Sequence, residues 1–137
     1  MAMGKNWTEK PAVKENRKTG RLLAGFGAFV ILTGAAQAGP ALDNCASQAA
    51  SPFESGYEDI GVTLRDMNLP NAISACDIAV SQEPEAIQAH AWLGRALWND
   101  NQPERAFEHL RFAAEAGNLL AMTTLGNMLI DGDGVEV

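Results

Sequence analysis

The feature that most constrains the fold is an internal repeat near the C-terminal end of the 137-residue chain. The segment AHAWLGRALWND, which begins at Ala89, aligns with AMTTLGNMLIDG, which begins at Ala121, at a spacing of 32 residues. Four positions are identical in the two segments: Ala89 and Ala121, Leu93 and Leu125, Gly94 and Gly126, Leu97 and Leu129. Internal similarity at a period in the low thirties is typical of folds that stack helix–turn–helix units. The repeat therefore predicts an all-α protein.

Helical spacing and turn residues agree with this prediction. One helical face of the first repeat segment is formed by Ile87, His90, Leu93, Gly94 and Leu97. We expect the next helix to begin at Pro103, because proline is tolerated in a first helical turn, and Gly117 to end it in a left-handed conformation.

The spacing of small and large residues resembles the tetratricopeptide repeat, and in particular its Sel-one-like branch. The positions that carry the resemblance are Gly94, Leu97, Ala106, Leu110 and Ala113, followed by the stretch AAEAGN and by AMTTLGNMLIDGDGV with Gly132 and Gly134. The resemblance implies a short α-solenoid of antiparallel helix pairs, in which small residues let two helices approach closely. It also implies that the glycines near the C-terminus form a turn between helices.

The sequence Asp131-Gly132-Asp133-Gly134 also raises the possibility of a calcium loop. An EF-hand loop needs oxygen ligands at its first, third and fifth positions, glycine at the sixth and glutamate at the twelfth. Counted from Asp131, the fifth position is Val135 and the sixth is Glu136. We therefore predict a turn and no bound metal ion.

Residues 1–38 have the pattern of a secretory signal peptide. A basic leader precedes an uncharged apolar run, Leu22 to Ala36, which is shorter than the roughly 18 residues expected of a spanning helix. Ala36 and Ala38 are the small residues that a signal peptidase reads, so we predict cleavage between Ala38 and Gly39. The mature chain would be periplasmic or secreted, and it resembles exported bacterial repeat proteins. The alternative is an uncleaved inner-membrane anchor at residues 22–38 with periplasmic repeats.

Charge excludes several classes of partner. Four arginines and 15 acidic residues follow Ala38, which gives residues 39–137 a net charge of −11. Such a surface repels phosphate backbones and anionic headgroups. We expect no nucleic-acid partner, and membrane contact only through residues 22–38.

Two cysteines, Cys45 and Cys76, follow the predicted cleavage site, and in an exported protein one disulfide is the simplest interpretation. We interpret residues 39–69 as an irregular N-terminal cap with one short helix, tied by this bond to a repeat domain at residues 70–137. Pro70 would open the first helix of that domain and Glu83 would end it. The alternative makes a cysteine a nucleophile or, with His90, a metal ligand.

No catalytic or cofactor-binding constellation is evident. His90 is expected to pack inside and His109 to be solvated. Trp92 and Trp98 lie six positions apart and point to different faces, so one is expected to be buried and the other to contact a partner.

The last predicted helix runs from Leu119 to about Ile130 with Asn118 as its cap, and the last repeat is incomplete. Its apolar stripe comprises Met122, Leu125, Gly126 and Leu129, with Met128 and Ile130 beside it. Part of this surface should require a cover: a second copy, another subunit or a continuation of the chain. The interaction candidates are Trp92, Trp98, Met122, Leu125, Met128 and Leu129.

We therefore expect a non-enzymatic protein–protein interaction module, an exported helical repeat protein acting as scaffold or adaptor. The alternative is a structural subunit of a larger complex, held in the membrane through residues 22–38. The third hypothesis is an enzyme or metal protein that uses Cys45, Cys76 and His90.

Overall fold

The structure, a computed structural model, describes residues 38–133. This range contains five α-helices and no β-strand: α1 (Pro40–Ala49), α2 (Leu69–Gln82), α3 (Ile87–Asn99), α4 (Pro103–Glu115) and α5 (Leu119–Asp131). The all-α prediction is therefore confirmed for this part of the chain. The predicted leader, apart from Ala38, and the repeat position Gly134 lie outside the described residues.

The ends of the helices follow the turn residues that the sequence indicated. Pro103 occupies the first turn of α4, and Gly117, with φ of +86°, follows its last turn. The N–H groups of Gly117 and Asn118 then donate to the carbonyls of Ala114 (2.9 Å) and Ala113 (3.0 Å). This pair of bonds satisfies carbonyls that a helix end leaves unpaired. Asn118 also caps α5, because its Oδ1 accepts from the N–H of Ala121 at 2.9 Å.

Helices that follow one another in sequence pack against one another, and α3 additionally contacts α1 and α5. The close approach of α3 and α4 depends on Gly94. A Cβ at this position would lie 2.5 Å from Cγ of Leu110, so a larger residue would force the helices apart. Among the described residues, the equivalent glycine of α5, Gly126, has no such neighbour within 4 Å. The α3–α4 contact is thus tightly packed at its glycine, whereas α5 leaves the side that carries Gly126 uncovered by residues 38–133.

The burial of α3 differs from the single apolar face that the sequence predicted. Every residue from position 89 to 97 is buried, including Trp92, Arg95 and Ala96. The reason is that α3 contacts all four other helices and, through Trp92 and Arg95, the N-terminal loop. Positions of α3 that the sequence pattern left off the apolar face therefore also belong to the core.

The N-terminal cap consists of α1 and the loop at residues 50–68. The predicted disulfide between Cys45 and Cys76 is present and joins α1 to α2. Both cysteines are completely buried, in a core to which α1 also contributes Ala46 and Ala49 and α2 contributes Ala72 and Ala79. The bond therefore lies in the middle of a tight helix–helix interface.

The inward face of α5 differs from the predicted stripe. Ala121, Thr124 and Met128 point into the protein, while Met122 and Leu129 remain 51% and 48% exposed. The prediction that Met128 lies on the uncovered side is wrong. Thr124 tolerates the interior because its hydroxyl donates to the carbonyl of Leu120 at 2.8 Å, so no buried polar group is left unsatisfied.

Candidate interaction surface

The loop at residues 50–68 is held against α3 by a buried arginine. The two terminal nitrogens of Arg95 donate to the backbone carbonyls of Ala49 and Val62, each at 2.9 Å. Burial lowers the pKa of Arg95, and the carboxylate of Glu54 opposes this effect. Arg95 therefore attaches two points of the chain to α3: Ala49, just before the loop, and Val62, within it. Sequence reasoning missed it, because a single arginine on a helix has no pattern that distinguishes it from a solvated one.

A second anchor of the loop is Trp92. Its indole N–H donates to Oε2 of Glu54 at 2.9 Å, and the N–H of Ser51 donates to the same oxygen at 2.8 Å. The ring of Tyr57 lies edge-on to the indole with 4.9 Å between centroids. Burial, together with the nearby Glu54, raises the pKa of Tyr57. Trp92 is completely buried under the N-terminal cap. It therefore cannot be the surface contact with a partner that the sequence analysis considered.

Beside the anchored loop lies a groove with a volume of about 890 Å³. Its walls are the loop at residues 51–57, the first turn of α3, the α4–α5 turn and the start of α5. The apolar lining consists of Phe53, Tyr57, Ile87, Leu119 and Leu120, with Ala116 beside them. Phe53 is 91% exposed and Leu119 is 77% exposed. We call this feature the loop groove.

The outward side of α5 continues this apolar surface. Leu119 belongs to both, and Met122, Leu129 and Ile130 follow it at helical spacing, with Ile130 84% exposed. Gly126 lies among them, and none of residues 38–133 would restrict a side chain added there. We call these five residues the α5 outer face. A helix that is apolar on nearly all sides is usually covered on all sides.

The remaining interaction candidates differ in exposure. Met122 and Leu129 are exposed on the α5 outer face, as predicted. Met128 is completely buried, and Leu125 is partly buried against the core, so neither is a free surface residue. Trp98 is half-buried and its indole N–H donates to Oδ2 of Asp133 at 2.9 Å.

At the end of α5, the described part of the predicted turn, up to Asp133, leaves the helix at Gly132. Gly132 has φ of +79°, and the N–H of Asp133 donates to the carbonyl of Met128 at 2.9 Å. This geometry repeats that of Gly117 and Asn118 at the end of α4. Within residues 38–133, no three His, Cys, Asp or Glu side chains converge in the manner of metal ligands.

The two histidines form a pair between α3 and α4. Their Nδ1 atoms lie 2.9 Å apart, and Nε2 of His90 lies 2.9 Å from the carbonyl oxygen of Pro84. Because a carbonyl only accepts, Nε2 of His90 carries a hydrogen; with both rings neutral, His109 then donates through Nδ1. Burial, and secondly the neighbouring His90, lower the pKa of His109. The expectation that His109 is solvated is therefore wrong, since it lies against His90, whose predicted packing role is confirmed.

No protein family model, curated protein or solved structure matches this sequence. None of the helices between residues 38 and 133 has the length and apolar character needed to cross a membrane. The disulfide is consistent with an oxidising, extracytoplasmic location.

Proposed function

We propose that this chain is a non-enzymatic protein–protein interaction module, an exported α-helical repeat protein that acts as a scaffold or adaptor. The observation that carries the proposal is the apolar surface formed by the loop groove and the α5 outer face. Large exposed apolar patches on soluble proteins usually mark interaction sites. Here Phe53, Leu119 and Ile130 are each more than three-quarters exposed.

The arrangement of the helices supports a short solenoid of the tetratricopeptide or Sel-one-like kind. Consecutive helices pack in pairs, and the alternate helices α1, α3 and α5 contact one another along the chain. Such stacking of neighbouring helix pairs is how repeat proteins build extended recognition surfaces. The step from this architecture to a binding role is an analogy between folds.

Export is the second part of the proposal. The disulfide supports it, because such bonds persist in oxidising compartments. The intact mass of the protein from its native host tests it, and we expect a mature N-terminus at Gly39. A retained leader would instead favour the alternative function, a structural subunit anchored through residues 22–38.

Site-specific photocrosslinking tests the binding role. A photoreactive amino acid is introduced at position 119 or 122 of the full chain, and as a control at position 78, an exposed apolar residue of α2 outside the loop groove. We expect discrete adducts of higher mass from positions 119 and 122 and none from position 78. Adducts at neither α5 position, in cells that produce the protein normally, would contradict the proposal.

A further inference from the structure

We infer that the loop groove accepts an extended segment of a partner protein in which bulky apolar side chains stand beside lysine or arginine. This inference rests on the proposed interaction function and specifies the chemistry of the partner. It depends on two properties of the groove, the placement of its apolar side chains and the sign of its charge.

The apolar side chains favour a polypeptide over a small ligand. Sites for small molecules usually enclose most of the ligand, and their apolar residues line the interior. Phe53, in the loop, and Leu119, at the start of α5, both line the groove yet are 91% and 77% exposed. Only a partner large enough to cover both Phe53 and Leu119 would remove these two side chains from water. A chain with apolar side chains of its own would gain the most from doing so.

The charge of the groove favours a cationic partner. Glu54 is the one charged side chain among the described residues that line the groove, and the buried Arg95 offsets part of its charge. The same loop carries the exposed Glu58 and Asp59. The two hydrogen bonds that the Glu54 carboxylate accepts both end on Oε2. Among the described residues, its Oε1 therefore remains available to a partner's cation.

Positive charge elsewhere on the surface is largely neutralised. Of the four arginines in residues 38–133, Arg95 is buried, Arg105 and Arg111 form ion pairs with acidic side chains, and Arg65 is exposed. Fourteen acidic residues in the same range leave a net charge of −10. An acidic surface accelerates the approach of cationic partners and disfavours anionic ones.

Three fluorescein-labelled synthetic peptides of equal length test the inference by fluorescence anisotropy with the protein purified from its host. The first alternates leucine and phenylalanine with lysine, the second has glutamate in place of lysine, and the third keeps lysine but has serine at the apolar positions. We expect the first to bind at least about tenfold more tightly than the others. We also expect Phe53→Ser and Leu119→Ser each to weaken its binding about tenfold.

Matched variants distinguish binding in the groove from non-specific apolar binding and from misfolding. Ile78→Ser removes an exposed apolar residue of α2 and should leave binding unchanged, and Phe53→Ser, Leu119→Ser and Ile78→Ser should melt at the wild-type temperature. Glu54→Gln keeps an acceptor for Trp92 and should weaken binding of the lysine-containing apolar peptide alone.

Three results would overturn the inference: no binding of any peptide, equal binding of the glutamate peptide, or full binding by Phe53→Ser and Leu119→Ser. Each of these leaves the interaction function to be decided by the crosslinks from positions 119 and 122. The two proposals can therefore fail separately.

Discussion

At the scale of single residues, a few polar side chains attach the N-terminal loop to the helical core. Arg95, Glu54 and Trp92 replace the periodic apolar contacts that hold helices together, because the loop has no regular face to bury. Each contact pairs a side chain with the backbone or with another polar group of low exposure. Removing one partner leaves the other unsatisfied, which costs more free energy than the bond itself contributes.

The substitution Arg95→Met tests how much the hydrogen bonds of Arg95 stabilise the fold. Methionine retains much of the volume, but the carbonyls of Ala49 and Val62 lose their donors. We expect the free energy of unfolding to fall by about 2–4 kcal/mol, measured by urea denaturation. Arg65→Met is the control, since Arg65 is exposed, and should change stability by about 0.5 kcal/mol or less. Equal stability of the two variants would show that the anchor is energetically unimportant.

The histidine pair predicts a pH dependence of stability. Since the pKa of His109 is lowered in the folded protein, the unfolded chain binds more protons as the pH falls below about 6.5. The free energy of unfolding should therefore be highest above this pH and decrease as the pH falls towards the folded-state pKa. Urea denaturation at a series of pH values from 8 to 5 measures it.

His109→Gln is the matched variant for this dependence. A glutamine amide can still donate to His90, but it does not titrate. The decrease in stability between neutral and mildly acidic pH should become smaller in this variant. An identical pH dependence in the variant and the wild type would assign the effect to other groups.

At the scale of secondary-structure elements, the sequence predicted some parts of the chain well and others poorly, for physical reasons. Gly94, Pro103, Gly117 and Asn118 act through local backbone geometry or close helix contact, so their sequence positions were enough to locate α3, α4 and the start of α5. The loop at residues 50–68 depends on contacts such as Arg95 to Val62, 33 positions apart, which leave no periodic pattern. The orientation of α5 was also mispredicted, because nearly all its faces are apolar and pattern alone did not select the inward one.

The disulfide between α1 and α2 should contribute measurably to the free energy of unfolding. It closes a loop with a sequence separation of 31 residues, for which the chain-entropy model gives roughly 3–4 kcal/mol. Cys76→Ser should lower the melting temperature and increase hydrogen exchange in residues 39–69 before the rest. Cys45→Ser should act equally, and the double substitution should add little. Equal melting with and without reductant would show that the bond contributes nothing.

At the scale of the whole molecule, the packing is asymmetric along the chain. The α3–α4 pair is covered on both sides, whereas α5 contacts α4 and α3 and leaves its outer face to solvent. The outward side of a helix on a globular protein usually carries mainly polar side chains. Here that side carries Leu119, Met122, Leu129 and Ile130 beside the polar Thr123 and Asn127.

We therefore predict that the isolated protein self-associates through the α5 outer face when its natural partner is absent. Sedimentation velocity should show the apparent mass rising with concentration, and Met122→Glu or Ile130→Glu should reduce this effect. Ile78→Glu, which places the same charge on α2, should not. A strictly monomeric protein at high concentration, with α5 strongly protected from hydrogen exchange, would contradict the prediction.

The bond between Cys45 and Cys76 also makes the intervening chain a covalent ring. The ring includes the exposed positions Phe53, Ile60 and Leu64, which are accessible to proteases. A single cut there opens the ring without releasing either piece, so the nicked protein should migrate as one species on a non-reducing gel and as two after reduction. Such a cut would leave α1 joined to α2 and to the helices that follow it, with the groove opened on one side.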